Sequence, residues 1–364
     1  MVDFPRKPAE VDAGWLEARL RASGVLGDAR VTGMAWVPIG TGQVGDTARF
    51  TLTYDREGAG PATVAGKFAS ADETSRGTAA TLQLYTKEVT FYREVAELLD
   101  ARVPRTFAAE VDENGQEFVL LFEDLAPQRG GNQLHGCDID HARAAIGQAA
   151  AIHAPSRNHP AILGQPCFQP NPALTGQMAA LYPQAHAVFR ERYDGQLAPE
   201  LMRICDELNA LIGGWFGRVL PDPGLVHGDF RLDNMLFGVG NGTEPIAIVD
   251  WQTTGIGCGL TDVGYFMGCG IGSALRRPHE DELLDLYCAE MSRRGVPTAR
   301  EAIWTRYRLG ALHGVSTAVF SAAFVVRTPR GDENFLSMAR GACELALDHD
   351  SIGALRHFLE TGTC

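Results

Sequence analysis

Val226-His227-Gly228-Asp229-Phe230-Arg231-Leu232-Asp233-Asn234-Met235-Leu236 sets one acid, Asp229, five residues before one amide, Asn234, between apolar flanks. Downstream, Ile246-Ala247-Ile248-Val249-Asp250-Trp251 is an apolar run that ends abruptly in a second acid. A short apolar run of this kind reads as a buried strand, which leaves Asp250 projecting from its tip. Acid, amide and acid offer only oxygen ligands. That donor set suits a hard cation such as Mg²⁺ held between protein and phosphate groups. An acid in such a place also suits the task of orienting a hydroxyl for attack on phosphorus.

His-Gly-Asp-x-x-x-x-Asn at 227–234, followed by Ile-Val-Asp-Trp at 248–251, resembles the signature of the aminoglycoside phosphotransferase/choline kinase superfamily. The longer string from His227 to Leu236 looks closer to the ecdysteroid-kinase-like branch and to the kinase-like domains fused to some acyl-CoA dehydrogenases. The resemblance implies an α+β, bilobal, protein-kinase-like fold. It implies a small antiparallel-sheet lobe over residues 1–124 and a large, mainly helical lobe over 125–364. Fold does not fix function, so the remaining residues are read one by one.

The 364 residues suit about two domains of ordinary size. A hydrophobic content of 45% with 21% charged residues is that of an ordinary globular chain. No apolar run reaches the roughly 18 residues of a membrane helix. Met1 to Lys7 lacks the apolar core of a signal peptide, so a cytoplasmic protein is expected. Eight cysteines form no Cys-x-x-Cys pair, which argues against a zinc site or a disulfide framework. A net charge of -13 disfavours non-specific nucleic-acid binding. Oligomeric state is not written in any of this.

Near the start, residues 8–22 read as an amphipathic helix, and Val31 to Ile39, Thr47 to Tyr54 and Ala62 to Phe68 as strands. Gly40, Gly42 and Gly45 lie between the first two strands. A dinucleotide-binding fold would continue into a helix; here the chain continues as a strand. The alternatives are a plain hairpin turn and a glycine-rich hairpin that covers ATP phosphates, as the resemblance implies. In the same way the resemblance assigns Lys67 to the nucleotide phosphates and Glu88, on a helix expected over 79–99, to holding that lysine. It makes Glu123 and Leu125 the interlobe segment whose backbone pairs with the adenine edge.

His153 reads as a packing residue beneath the 227–234 segment, and Asp262 as a brace for it. The stretch 154–172 reads as a loop or lid. Helices are expected at 138–153, 173–192, 198–219, 280–294, 300–327 and 332–359. The expected chemistry is ATP- and Mg²⁺-dependent transfer of a phosphoryl group to a hydroxyl of a small molecule. In it Asp229 orients the hydroxyl, Asn234 and Asp250 hold the metal, and Lys67 positions the phosphates. Arg231 either faces the transferring phosphate or is a surface arginine or one paired with Asp233. Two other readings stay open, a kinase-shaped binding protein without turnover and nucleotidyl transfer on the same fold. Phe168, Tyr182, Phe189, Tyr193, Phe266, Met267, Trp304, Tyr307 and Phe320 are either core or the lining of a pocket for an apolar, steroid-like or hydroxyacyl acceptor.

Overall fold

Phe50, Leu52, Val64 and Phe68 alternate along the chain with Arg49, Thr51, Ala65 and Lys67, and side chains in a strand point alternately to opposite faces. The computed structural model, which describes residues 4–40, 45–325 and 327–363, shows what each face meets. Strands β1 (Val31–Ile39), β2 (Gly45–Tyr54), β3 (Thr63–Ala69), β4 (Thr106–Val111) and β5 (Phe118–Glu123) form an antiparallel sheet in the order β1-β2-β3-β5-β4. One face buries Phe50, Leu52, Val64, Phe68, Val119 and Leu121 against Leu16 and Leu20 of α1 (Ala13–Ala22). Burying a side chain of this size contributes about 1.5–3 kcal/mol. The opposite face carries Phe118, Leu120 and Phe122 into the larger core. Lys67 shares that face, because it lies directly across from Leu120.

The helix expected over 79–99 is not continuous. Helix α2 (Glu73–Thr81) stops where Gln83 takes a left-handed φ of 57°. Helix α3 (Leu84–Thr90) then starts afresh and runs into a π-helical turn at Phe91–Val95. A left-handed non-glycine residue breaks the i→i−4 ladder, and no local pattern in the sequence announces it.

The rest is largely helical: α4 (Ile139–Ser156), α5 (Pro160–Leu163), α6 (Pro172–Arg192), α7 (Pro199–Ala210), α8 (Ile212–Gly217), α9 (Val239–Gly242), α10 (Leu260–Tyr265), α11 (Gly272–Arg293), α12 (Arg300–Phe324), α13 (Pro329–Asp348) and α14 (Ser351–Thr361). Small strands complete it. β6 (Arg129–Gly130), β8 (Met235–Gly238) and β9 (Glu244–Ile248) form one sheet, and β7 (Gly224–Val226) pairs with β10 (Gly255–Gly257). This is the α+β, two-lobed architecture expected.

Three helical expectations change. The 198–219 segment divides at Leu211, and the 332–359 segment divides at Asp350, whose φ is 48°. The expected 280–294 helix begins at Gly272, after a second π-helical turn at Phe266–Gly270. The stretch 154–172 carries α5 and a 3₁₀ turn at Pro166–Phe168. Among the described residues no helix is long and apolar enough to cross a membrane.

Candidate active site

The segment after β7 turns sharply because Gly228 has a φ of +80°, and a Cβ there would lie 2.5 Å from the Thr253 carbonyl oxygen. Only glycine accepts both conditions without strain. Asp262, fully buried on α10, receives the next two backbone amides: His227 N donates to Oδ2 at 2.7 Å and Gly228 N to Oδ1 at 3.0 Å. Thr253 and Thr254 hydroxyls donate to the carbonyls of His227 and Val226 at 3.0 and 2.8 Å. His153 Nε2 lies 3.2 Å from Asp262 Oδ2, beneath the segment. Burial pushes the Asp262 carboxyl up, but His153 and His227 more than offset it and hold it below the usual carboxylate range. The brace is therefore an anion that holds the loop through its peptide groups.

Asp229 then meets three donors. Arg231 Nε reaches its Oδ1 and Oδ2 at 2.9 and 3.0 Å, Asn234 Nδ2 reaches Oδ2 at 2.8 Å, and the Tyr265 hydroxyl reaches Oδ1 at 2.9 Å. Burial would raise this carboxyl. The guanidinium of Arg231, with His227 and the tyrosine hydroxyl, overcomes burial and keeps it below its ordinary value. Arg231 also donates from Nη1 to Asp233 Oδ2 at 2.7 Å. Arg231 thus pairs with Asp233, as one of its readings expected, and with Asp229 as well.

On β3, Lys67 Nζ lies 2.8 and 2.7 Å from the two Glu88 oxygens and 2.8 Å from Asp250 Oδ1. One ammonium thus serves two carboxylates. Burial, with the neighbouring Asp250 charge, pushes Glu88 up to about 7 despite the lysine. For Lys67 the two carboxylates outweigh burial and hold it above the ordinary lysine value, fully charged. Asp250 has a φ of 66°, an uncommon conformation for a non-glycine residue and one that clusters at functional sites. The Trp251 ring beside it stacks on Phe91, with centroids 3.7 Å apart and planes 7° from parallel.

The β8–β9 pairing brings the acid–amide pair and the second acid together. Val249 N donates to the Asn234 carbonyl at 3.0 Å, so Asp250 follows directly on the residue opposite Asn234. Asn234 spends its side-chain nitrogen on Asp229, both O and Oδ2, which turns its side-chain oxygen the other way. An amide oxygen and a carboxylate beside Lys67 fit a divalent hard cation. Among the described residues no three His, Cys, Asp or Glu side chains cluster as a metal site, so such an ion would take much of its coordination from phosphate oxygens and water.

Of the glycines, Gly40 closes β1 with φ +76° and Gly45 opens β2, where a Cβ would lie 2.9 Å from the Phe68 carbonyl oxygen. Gly42 lies outside the described residues. Glu123 turns its carboxylate to Arg102 Nη1 at 2.6 Å and Arg105 N at 2.7 Å. Leu125 buries its side chain against Val239 and Ala247. Among the described residues its backbone N–H and C=O have no hydrogen-bond partner.

The nine aromatic and methionine positions resolve as core. Phe168, Tyr182, Phe189, Tyr193, Phe266, Met267 and Tyr307 are buried, and Trp304 and Phe320 pack against the same cluster. They give no support to an apolar acceptor. Tyr265 escaped the sequence reading. Its one signal is a place three residues after Asp262, one helical turn along α10.

Residues 44–295 match the family model described as the ecdysteroid kinase-like family. No curated protein matches the chain. Among solved structures, a Ralstonia eutropha JMP134 protein provisionally assigned as an aminoglycoside phosphotransferase is similar at 17% identity and a TM-score of 0.54, covering 93% of this chain and 98% of its own. The microcompartment-associated aminopropanol kinase matches at 16% identity and a TM-score of 0.46, over 95% of this chain and 99% of its own. A thermostable mutant aminoglycoside phosphotransferase bound to ADP and hygromycin B matches at 15% and 0.47, over 96% and 99%.

Proposed function

The chain belongs to the ecdysteroid kinase-like family, within the aminoglycoside phosphotransferase/choline kinase superfamily, and on that premise we propose that it transfers the γ-phosphoryl group of ATP to a hydroxyl of a small molecule. One observation carries this reading. Asn234 bonds to Asp229, Val249 N ties the Asn234 carbonyl to the strand tip that carries Asp250, and Asp250 shares Lys67 with Glu88, with no member substituted. Phosphoryl transfer asks a protein for positioning and charge neutralisation more than for covalent chemistry, and the cluster supplies both.

In this reading residues 1–124 and 125–364 form the two lobes. The glycines at 40, 42 and 45 bring backbone N–H groups to the phosphates. The Glu123 carbonyl and the Leu125 amide face the base edge. Lys67, fixed by Glu88, holds the α- and β-phosphates. Asn234 and Asp250 hold Mg²⁺, which when bound neutralises charge on the phosphate oxygens. Asp229 accepts a hydrogen bond from the acceptor hydroxyl and aims its oxygen at phosphorus. A new O–P bond forms as the bond to the leaving diphosphate oxygen breaks, the electron pair stays on that oxygen, and the hydroxyl proton passes to Asp229 or water. The lowered carboxyl of Asp229 suits orientation of the hydroxyl more than strong proton abstraction.

The test is a screen of hydroxylated metabolites with ATP and Mg²⁺, read by product mass and compared with Asp229→Asn. Gain of one phosphate by wild type, reduced at least about a thousandfold in the variant, supports the reading, since each 1.4 kcal/mol of lost transition-state stabilisation is tenfold in rate. Gain of AMP would mean nucleotidyl transfer. Nucleotide binding without any product would mean a binding protein.

A further inference from the structure

Arg218 follows the last turn of α8 and is half-buried. Every other arginine of the described residues that is not exposed pairs with a carboxylate. Among the described residues Arg218 has none. Its Nη1 donates to the Trp215 carbonyl, its guanidinium lies over the Trp215 ring, and its Nε is buried with no hydrogen-bond partner. Burial pushes it below the ordinary arginine value, and the influence that opposes burial is the Cys258 thiol, a far weaker acid than a carboxyl. A cation taken from water without a counter-ion is costly, and departures of this kind concentrate at functional sites.

The surroundings of Arg218 lead to Asp229. On α12, His313, Thr317 and Phe320 are half-buried between buried neighbours, so one stripe at helical spacing reaches solvent. Helix α8 lies along that stripe: the Phe216 ring meets Phe320, centroids 5.9 Å apart, and Trp215 Nε1 donates to Ser316 Oγ at 3.3 Å. At its other end the stripe passes beneath the 227–234 loop. Gly264 and Gly310 let α10 and α12 meet so closely that a Cβ on Gly310 would lie 2.1 Å from the Leu260 carbonyl oxygen. That approach seats His313 edge-on to the Tyr265 ring, centroids 5.1 Å apart. His313 Nε2 in turn donates to the Gly228 carbonyl at 2.9 Å, one residue before the acid. Arg218 is near enough to act on that ring: burial first, and then the Arg218 charge, hold His313 below the ordinary histidine value.

We propose that the acceptor carries an anionic group, a carboxylate or a phosphate, and that Arg218 binds it beside His313 while the acceptor hydroxyl lies at Asp229; this rests on the phosphotransfer reading above. A guanidinium suits the task because its planar fork of N–H donors matches either anion. The Trp215 ring and carbonyl fix the plane of that fork, and among the described residues nothing bonds to Nη2. The chain as a whole carries a net charge of -13, which repels an anion, so a local cation is what such an acceptor requires. As a cap alone, on the Trp215 carbonyl at the end of α8, Arg218 would stabilise the fold and leave ligands unaffected.

The experiment adds a ladder of unbranched ω-hydroxy acids, the matching ω-hydroxyalkyl phosphates and the matching diols to the full chain saturated with Mg·ADP, and reads binding by calorimetry. The same ladder with Mg·ATP is read for ADP release and product mass. Arg218→Met keeps the stem and removes the charge; Arg218→Lys keeps the charge and loses the fork. We expect wild type to bind a hydroxy acid or a hydroxyalkyl phosphate at least about tenfold more tightly than the diol of the same length. Arg218→Met should abolish that preference and Arg218→Lys retain part of it. The tighter of the two anions identifies the group. The Tm of Arg218→Met should equal or exceed that of wild type, because an unpaired cation has been removed. Equal binding of anions and diols by wild type, or an anion preference that survives Arg218→Met, overturns the proposal. So does a Tm lowered in Arg218→Met, the mark of a cap. Anion binding that is lost in Arg218→Met, with no phosphorylated product at any length, supports the site and overturns the phosphotransfer reading instead. Phosphorylation of anions and diols alike overturns this inference and leaves that reading standing.

Discussion

Glu88→Gln tests the charge balance of the crevice. Glu88 and Asp250 share the single ammonium of Lys67, and burial with the Asp250 charge pushes Glu88 up to about 7. In the ligand-free protein Glu88 therefore holds a proton more readily than an ordinary carboxyl. A divalent ion on Asp250 cancels part of the charge that keeps that proton bound. Binding of Mg·ADP should then release protons, and the logarithm of affinity should rise with pH over the range in which Glu88 titrates. The sign follows from linkage: the free state binds more protons than the complex, so higher pH favours the complex. The assay is calorimetry in two buffers of different ionisation enthalpy. Because ADP itself titrates in this range, the quantity that matters is wild type minus Glu88→Gln. Equal proton release in the two proteins, or net uptake by the wild type, would refute the reasoning.

Two further outcomes are expected. In the ligand-free protein Glu88 has a folded value above its ordinary 4.5, so its contribution to stability is largest below that value and falls as pH rises to about 7. Glu88→Gln should accordingly raise the Tm at pH 8 by a few degrees, a gain of at most about 3 kcal/mol, and a lowered Tm would contradict the assignment. Arg231→Lys replaces a planar fork that spans Asp229 and Asp233 with a point charge that cannot bridge both. It should lower kcat about tenfold, and unchanged turnover would remove Arg231 from the site.

The two-part pattern at 227–234 and 248–251 was legible because its spacing is local: a tight loop and a strand tip each declare themselves within a few residues. The strands were legible for the same reason, since alternation along Phe50 to Leu52 or Val64 to Phe68 is a short-range signal. Long-range meetings were not. Tyr265 lies 36 residues from Asp229, and His313 lies 85 from Gly228. Nothing along the chain says that two glycines will let α10 and α12 approach and bring both side chains under the loop. The break at Gln83 was hidden because a left-handed backbone runs against the preference of any residue but glycine, and nothing around Gln83 in the sequence marks one. The nine aromatic and methionine positions stood open between core and pocket lining. Composition cannot tell a pocket wall from a core; burial places seven of them in the core and packs Trp304 and Phe320 against it.

The face-to-face stack of Phe91 on Trp251 has a mechanical consequence. It couples the π-helical turn that follows Glu88 to the residue that follows Asp250, so the two acids around Lys67 ride on opposite ends of one rigid aromatic linkage. Any event that tilts the one must drag the other, and the crevice should assemble or come apart as a unit, never half-built.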